Sequence, residues 1–154
     1  NDDKKNALMA LGTAPTAELR ERALDWNTSG AVKLQDCMYL PLVMHRSSAE
    51  GMDATWSFFT AKLSKYSDML CSASSSLMDH VIGGACANFA TQAKADEVDA
   101  FFESHKEDFA KNQRKIGQLT ENMKNNVSYL AKFEASGAKQ WLLDTATAKA
   151  AALS

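Results

Sequence analysis

Apolar residues recur along this chain at three- and four-residue steps, and long strand-like alternation is missing. The clearest stripe is Trp56, Phe59, Leu63 and Tyr66. It follows Ser47-Ser48-Ala49-Glu50, where Ser47 and Glu50 fit a capping box that satisfies each other's orphan amides. Upstream, Leu8 and Leu11 end a first helix closed by Gly12. A second follows Pro15, a residue suited to a first turn, and carries Leu19, Ala23 and Leu24. Asn27-Thr28-Ser29-Gly30 is a turn signal. The next helix is predicted to begin between Leu34 and Asp36, with Asp36 offsetting the dipole. Met38, Leu42 and His45 form its apolar face, and Pro41 marks either a kink or an early start.

Downstream, Ser76 and Asp79 form a second box-like start, leading into Leu77, Val81, Ile82 and Ala85. Thr91 caps a helix holding Val98, Phe101, Phe102 and His105. A longer helix runs from about Asn112, with Ile116, Leu119, Met123, Val127 and Leu130 on one face. Gly137 precedes a short last helix bearing Trp141 and Leu142, and an alanine-rich, helix-friendly tail follows from Asp144. The fold class is all-α. About seven or eight helices on short turns predict stacked antiparallel pairs, a superhelical array of the HEAT or armadillo kind. A globular bundle gives nearly the same pattern, because no sequence repeat recurs at a fixed period. The domain reading is one helical domain over 1–143 with a tail over 144–154.

Composition narrows the function. At 154 residues the chain is long enough for one core without disulfides or metal. Seventeen basic and 19 acidic residues nearly cancel and are scattered, so no stripe exists to neutralise phosphates and nucleic-acid binding is excluded. The longest apolar runs fall far short of the ~20 residues of a membrane span. Cys37, Cys71 and Cys86 are odd in number and match no zinc or redox spacing. They read as small buried thiols, which tilt the compartment towards a reducing, cytoplasmic one, with the secretory pathway as the alternative. The opening Asn1-Asp2-Asp3-Lys4-Lys5 has no signal-peptide pattern and runs at once into a helix, as in a piece of something longer.

A search for catalytic clusters returns negatives. His45, His80 and His105 are isolated, and none belongs to an H-E-x-x-H pair of zinc ligands with its water-activating glutamate. A P-loop, a G-x-S-x-G elbow and a G-x-G-x-x-G turn are also missing. Gly83-Gly84 lies inside a helical pattern, where it permits close packing. His105-Lys106-Glu107-Asp108 reads as a solvated helix end. The chain alone is therefore not expected to be an enzyme.

Several segments nevertheless fall in a familiar order. Ala7-Leu8 to Leu11-Gly12 precedes Leu19, Arg22 and Leu24. Gln35-Asp36 opens the next helix, and Trp56-Ser57-Phe58 leads to Lys62 and Tyr66. Asn88-Phe89-Ala90-Thr91, Glu97-Val98 with Phe101-Phe102-Glu103-Ser104-His105, and Asn122, Asn126 and Tyr129-Leu130 complete the series. From Asn6 to Leu142 this order resembles the C-terminal helical domain of the zinc aminopeptidases, the group of the puromycin-sensitive and endoplasmic-reticulum enzymes. Departures are Thr55 where the family has alanine before Trp56, a serine-rich stretch between Asp68 and Ser76, and Asp79-His80 where relatives often hold arginine.

The resemblance implies a bowl of HEAT-like hairpins that closes over a catalytic domain elsewhere in the same polypeptide, where zinc is held. Its role there is to enclose the peptide substrate and help select it. Gln35, Arg46, His80 and Lys124 are the polar candidates for peptide contact, and the chain itself contributes no catalytic or metal-binding residue. The alternative is a self-standing helical-repeat module that binds a protein or peptide on its concave face.

Overall fold

The computed structural model describes residues 2–70 and 75–152, with side chains described over 2–70 and 76–150. Among these residues every regular element is helical. The order is α1 Asp2–Leu11, α2 Ala17–Asn27, a 3-10 turn Leu34–Asp36, α3 Tyr39–Ser47, α4 Ala49–Ala61, α5 Leu63–Leu70, α6 Ser75–Cys86, α7 Gln92–Ser104, α8 Gln113–Ala135 and α9 Ala138–Ala152. The all-α reading holds, with nine α-helices among the described residues instead of seven or eight.

The helix starts show what capping decides. Thr91 Oγ1 accepts the Lys94 amide at 3.4 Å and opens α7 as its sequence predicts. At α2 the cap is Thr16, whose Oγ1 accepts the Leu19 amide at 3.2 Å, so Pro15 lies before the cap and not in the first turn. At α4 the cap is Ser48 and not Ser47: Ser48 Oγ accepts the Gly51 amide at 3.0 Å, whereas the Ser47 hydroxyl donates back to the Met44 carbonyl at 2.8 Å. Glu50 still contributes, since its own backbone amide and the Ser48 hydroxyl hold its carboxyl below the usual range. Leu34–Asp36 forms only the 3-10 turn, and α3 begins at Tyr39. Pro41 is the third residue of α3, where a missing N–H costs nothing, so the early-start alternative holds.

One predicted helix divides in two. Lys62 leaves the helical region at φ −117° and ψ 26°, ending α4, and its carbonyl then accepts the Tyr66 amide in α5. The stripe survives the break, because Trp56, Phe59 and Tyr66 remain in the same core. At the other end Gly137, at φ 72°, turns the chain from α8 into α9 in a conformation that favours glycine. α9 runs on to Ala152, so the alanine-rich segment from Asp144 is helical as far as it is described.

The helices pack in two layers. α1 lies on α3, α3 on α6 and α6 on α8, while α2 lies on α4 and α4 meets α7 through side chains. Contacts of α3 with α4 and of α7 with α8 join the layers. Packing of successive helical hairpins on one another is how helical arrays bury their stripes. Glycine brings the central elements close. Cβ atoms on Gly12 and Gly84 would lie 2.8 Å from Val43 Cβ and 3.3 Å from the Leu42 amide nitrogen, and one on Gly51 would run into the Met44 carbonyl. No helix among the described residues is long and apolar enough to cross a membrane.

Candidate functional site

Trp56 organises the centre. Its ring, 1% exposed, meets Phe59, Phe89, Phe101 and Phe102 with centroids 5.2–6.3 Å apart. Aromatic pairs at such spacings add about 0.5–1.5 kcal/mol each beyond burial. A buried indole N–H needs an acceptor, and Trp56 Nε1 donates to Glu97 Oε1 on α7 at 2.6 Å. Burial pushes Glu97 up, but the indole N–H and the Lys94 ammonium outweigh it and hold the carboxyl below its usual range. Lys94 Nζ sits 3.0 Å from Glu97 Oε2 and 3.3 Å from Asp53 Oδ1, and lies over the Phe89 ring at 5.3 Å. The group ties α4 to α7.

A second buried polar cluster holds the turn between α6 and α7. The Asn88 amide N–H donates to His45 Nε2 at 3.1 Å, and His45 Nδ1 lies 3.2 Å from Thr55 Oγ1. A backbone amide can only donate, so Nε2 accepts and Nδ1 carries the proton towards Thr55. Thr55 in turn donates to the Gly51 or Met52 carbonyl, at 3.0 and 2.9 Å. Burial pushes His45 down to about 4, with the neighbouring Arg46 adding to the effect, and the imidazole is neutral near pH 7. From α8, Asn126 Nδ2 donates to the Phe89 carbonyl at 3.3 Å. Asn88-Phe89 is thus gripped by α3 and α8 while the Phe89 ring packs on Trp56 and His45. The sequence puts His45 on an apolar face but carries no signal of this role, because its partner lies 43 positions away.

The four sequence candidates are all exposed. Gln35 is in the 3-10 turn before α3, Arg46 near the end of α3, His80 on α6 and Lys124 on α8. All four lie on or beside successive helices of one layer, yet no hydrogen bond or ion pair among the described residues joins any two of them. Lys124 is engaged across the layers, with its Nζ 3.5 Å from Asp99 Oδ2 of α7.

Among the described residues, two of the surface grooves have largely apolar walls. One, of about 510 Å³, lies between α2 and α4, with Leu24, Ala54 and Phe58 along its floor and Glu21, Glu50 and Lys62 on its rim. The other, of about 350 Å³, lies at the α1–α2 end, where Leu11 and Trp26 are more than 40% exposed. None of the four candidates lines either groove.

Zinc chemistry does not fit the described residues. Both ring nitrogens of His45 are engaged in the core, and the His105 ring stacks on Phe101 at 4.4 Å. No group of three His, Cys, Asp or Glu among the described residues could hold a metal. Cys37 and Cys86 are buried free thiols, pushed up to about 11 and about 12 by desolvation and so unreactive, while Cys71 lies outside the described residues.

An array of stacked helices, tied by an aromatic core and buried polar bridges, defines the class: an all-α helical-array domain. The profile of the ERAP1-like C-terminal domain family matches residues 1–125, and the chain belongs to that family. It is also similar to "Aminopeptidase 2, mitochondrial" of Saccharomyces cerevisiae, 30% identical over 102 residues, which is 66% of this chain. The chain spans about a tenth of the length of that relative.

Proposed function

We propose that this chain forms part of the C-terminal domain of a zinc-dependent aminopeptidase that removes N-terminal residues from peptides. It encloses the substrate chamber against a catalytic domain of the same polypeptide and helps select peptides by length. The observation that carries this reading is the family match over residues 1–125, supported by the similarity to an aminopeptidase. Zinc belongs to the catalytic domain, and the compartment is cytoplasmic. Movement of the bowl against the catalytic domain gates entry and release.

In this reading Gln35, Arg46, His80 and Lys124 face the peptide from one helical layer. Their exposure suits the role. Lys124 is the least available of the four, because Asp99 already holds its ammonium. The proposed domain division takes 1–143 as the single helical domain and 144–154 as a tail, with α9 crossing that boundary.

The test is kinetic and uses the full polypeptide. Alanine at Gln35, Arg46 and His80 together is expected to change how kcat/KM depends on peptide length while sparing a single-residue chromogenic substrate. An unchanged length profile retires these residues as peptide contacts. A self-standing binding module predicts instead that the 154-residue chain captures a partner without any peptidase attached.

A further inference from the structure

Two Asn-x-Ser/Thr motifs occur in the chain, Asn27-Thr28-Ser29 and Asn126-Val127-Ser128. Such motifs are acceptors for N-linked oligosaccharide, and in secreted proteins they sit on surface loops. Here they do not. Asn27 closes α2 and is 1% exposed, and its neighbour Thr28 is 5% exposed. Its Nδ2, the atom that would carry the sugar, donates to the Cys37 carbonyl at 2.7 Å, and its Oδ1 is buried as well. Asn126 is half-buried, with its Nδ2 committed to the Phe89 carbonyl at 3.3 Å.

The transfer reaction is a displacement at the sugar. A bond forms between Asn Nδ2 and the anomeric carbon of a lipid-pyrophosphate-linked oligosaccharide. The anomeric C–O bond breaks, the lipid pyrophosphate departs with the electron pair, and the amide gives up one proton. With Asn27 1% exposed in the fold, transfer requires a chain in which Asn27 is not yet buried. A sugar ring on that nitrogen then requires space that the segment carrying Cys37 occupies in the fold.

We infer that glycosylation of Asn27 and the native packing of α2 are mutually exclusive, so the chain reaches its fold only where N-linked glycosyl transfer does not act. This stands whether or not the aminopeptidase reading holds. It is tested by expressing the 154-residue chain in eukaryotic cells with and without a secretory leader, in a Ser128→Ala background that removes the second motif. Ser29 is exposed, so Ser29→Ala removes the first motif without touching the core. The leader-carrying chain is expected to show an endoglycosidase-sensitive mass shift at Asn27 and a protease half-life at least about tenfold shorter than the leaderless chain. Ser29→Ala should restore the half-life. Equal protease resistance of the two forms, glycosylated or not, overturns the inference, as does failure of Ser29→Ala to restore it.

Discussion

The centre of the array and its C-terminal end are built from similar helical patterns but behave differently. In α4, Gly51, Thr55, Trp56, Phe58 and Phe59 are all buried, because α2, α3, α5 and α6 surround the helix. α9 rests chiefly on α8, and Trp141, Leu142 and Leu143 are 65%, 51% and 54% exposed. An apolar residue stabilises a fold by the area it removes from water. A tryptophan on α9 therefore contributes little to this chain, whereas one on α4 holds it together.

Removing each indole in turn separates the two regions most strongly. Trp56→Ala is expected to cost about 3–5 kcal/mol in urea unfolding, as large-to-small changes in packed cores do. Trp141→Ala should stay within about 0.5 kcal/mol, as surface changes do. Similar losses from the two would show that α9 is packed as tightly as α4.

Acid probes the same centre. His45 has a folded value of about 4 against an ordinary 6.5, so as pH falls the unfolded chain takes up the proton first. Its contribution is fully present above the unfolded value and declines as pH falls towards the folded one. The loss amounts to about 3 kcal/mol over that window. Urea midpoints between pH 7 and 5 should fall in the wild type and flatten in His45→Gln, which keeps an acceptor without the titration. Equal slopes would mean that His45 is solvated.

Smaller effects refine the picture at the helix contacts. Gly51→Ala drives a methyl group into the Met44 carbonyl where α3 meets α4, and should cost about 1–3 kcal/mol in thermal unfolding. Glu97→Ala leaves the buried Trp56 N–H without its acceptor, and about 1–2 kcal/mol is expected, with Glu97→Gln recovering most of it. Full recovery by Gln would assign the effect to the hydrogen bond. No recovery would assign it to the Lys94 charge pair.

Much of the fold is legible because helical stripes and caps are local. Thr91, Asn112 and the stripe through Ile116, Leu119 and Met123 all lie where the sequence places them. The errors arise where neighbours compete. Ser47 and Ser48 both suit a cap, and only the backbone chooses between them; Lys62 ends a helix that its stripe would continue. The polar bridges were illegible, since Asn88 with His45 and Glu97 with Trp56 are brought together by packing of helices far apart in sequence. Exposed candidates such as His80 carry no local signal that separates peptide contact from solvation.

The most direct measurement is to read the transcript upstream of the Asn1 codon and assay zinc in the polypeptide it encodes. The account predicts an in-frame H-E-x-x-H, a further glutamate ligand a helix later, and bound zinc. A start codon immediately before Asn1, with a folded and zinc-free 154-residue product, would contradict it.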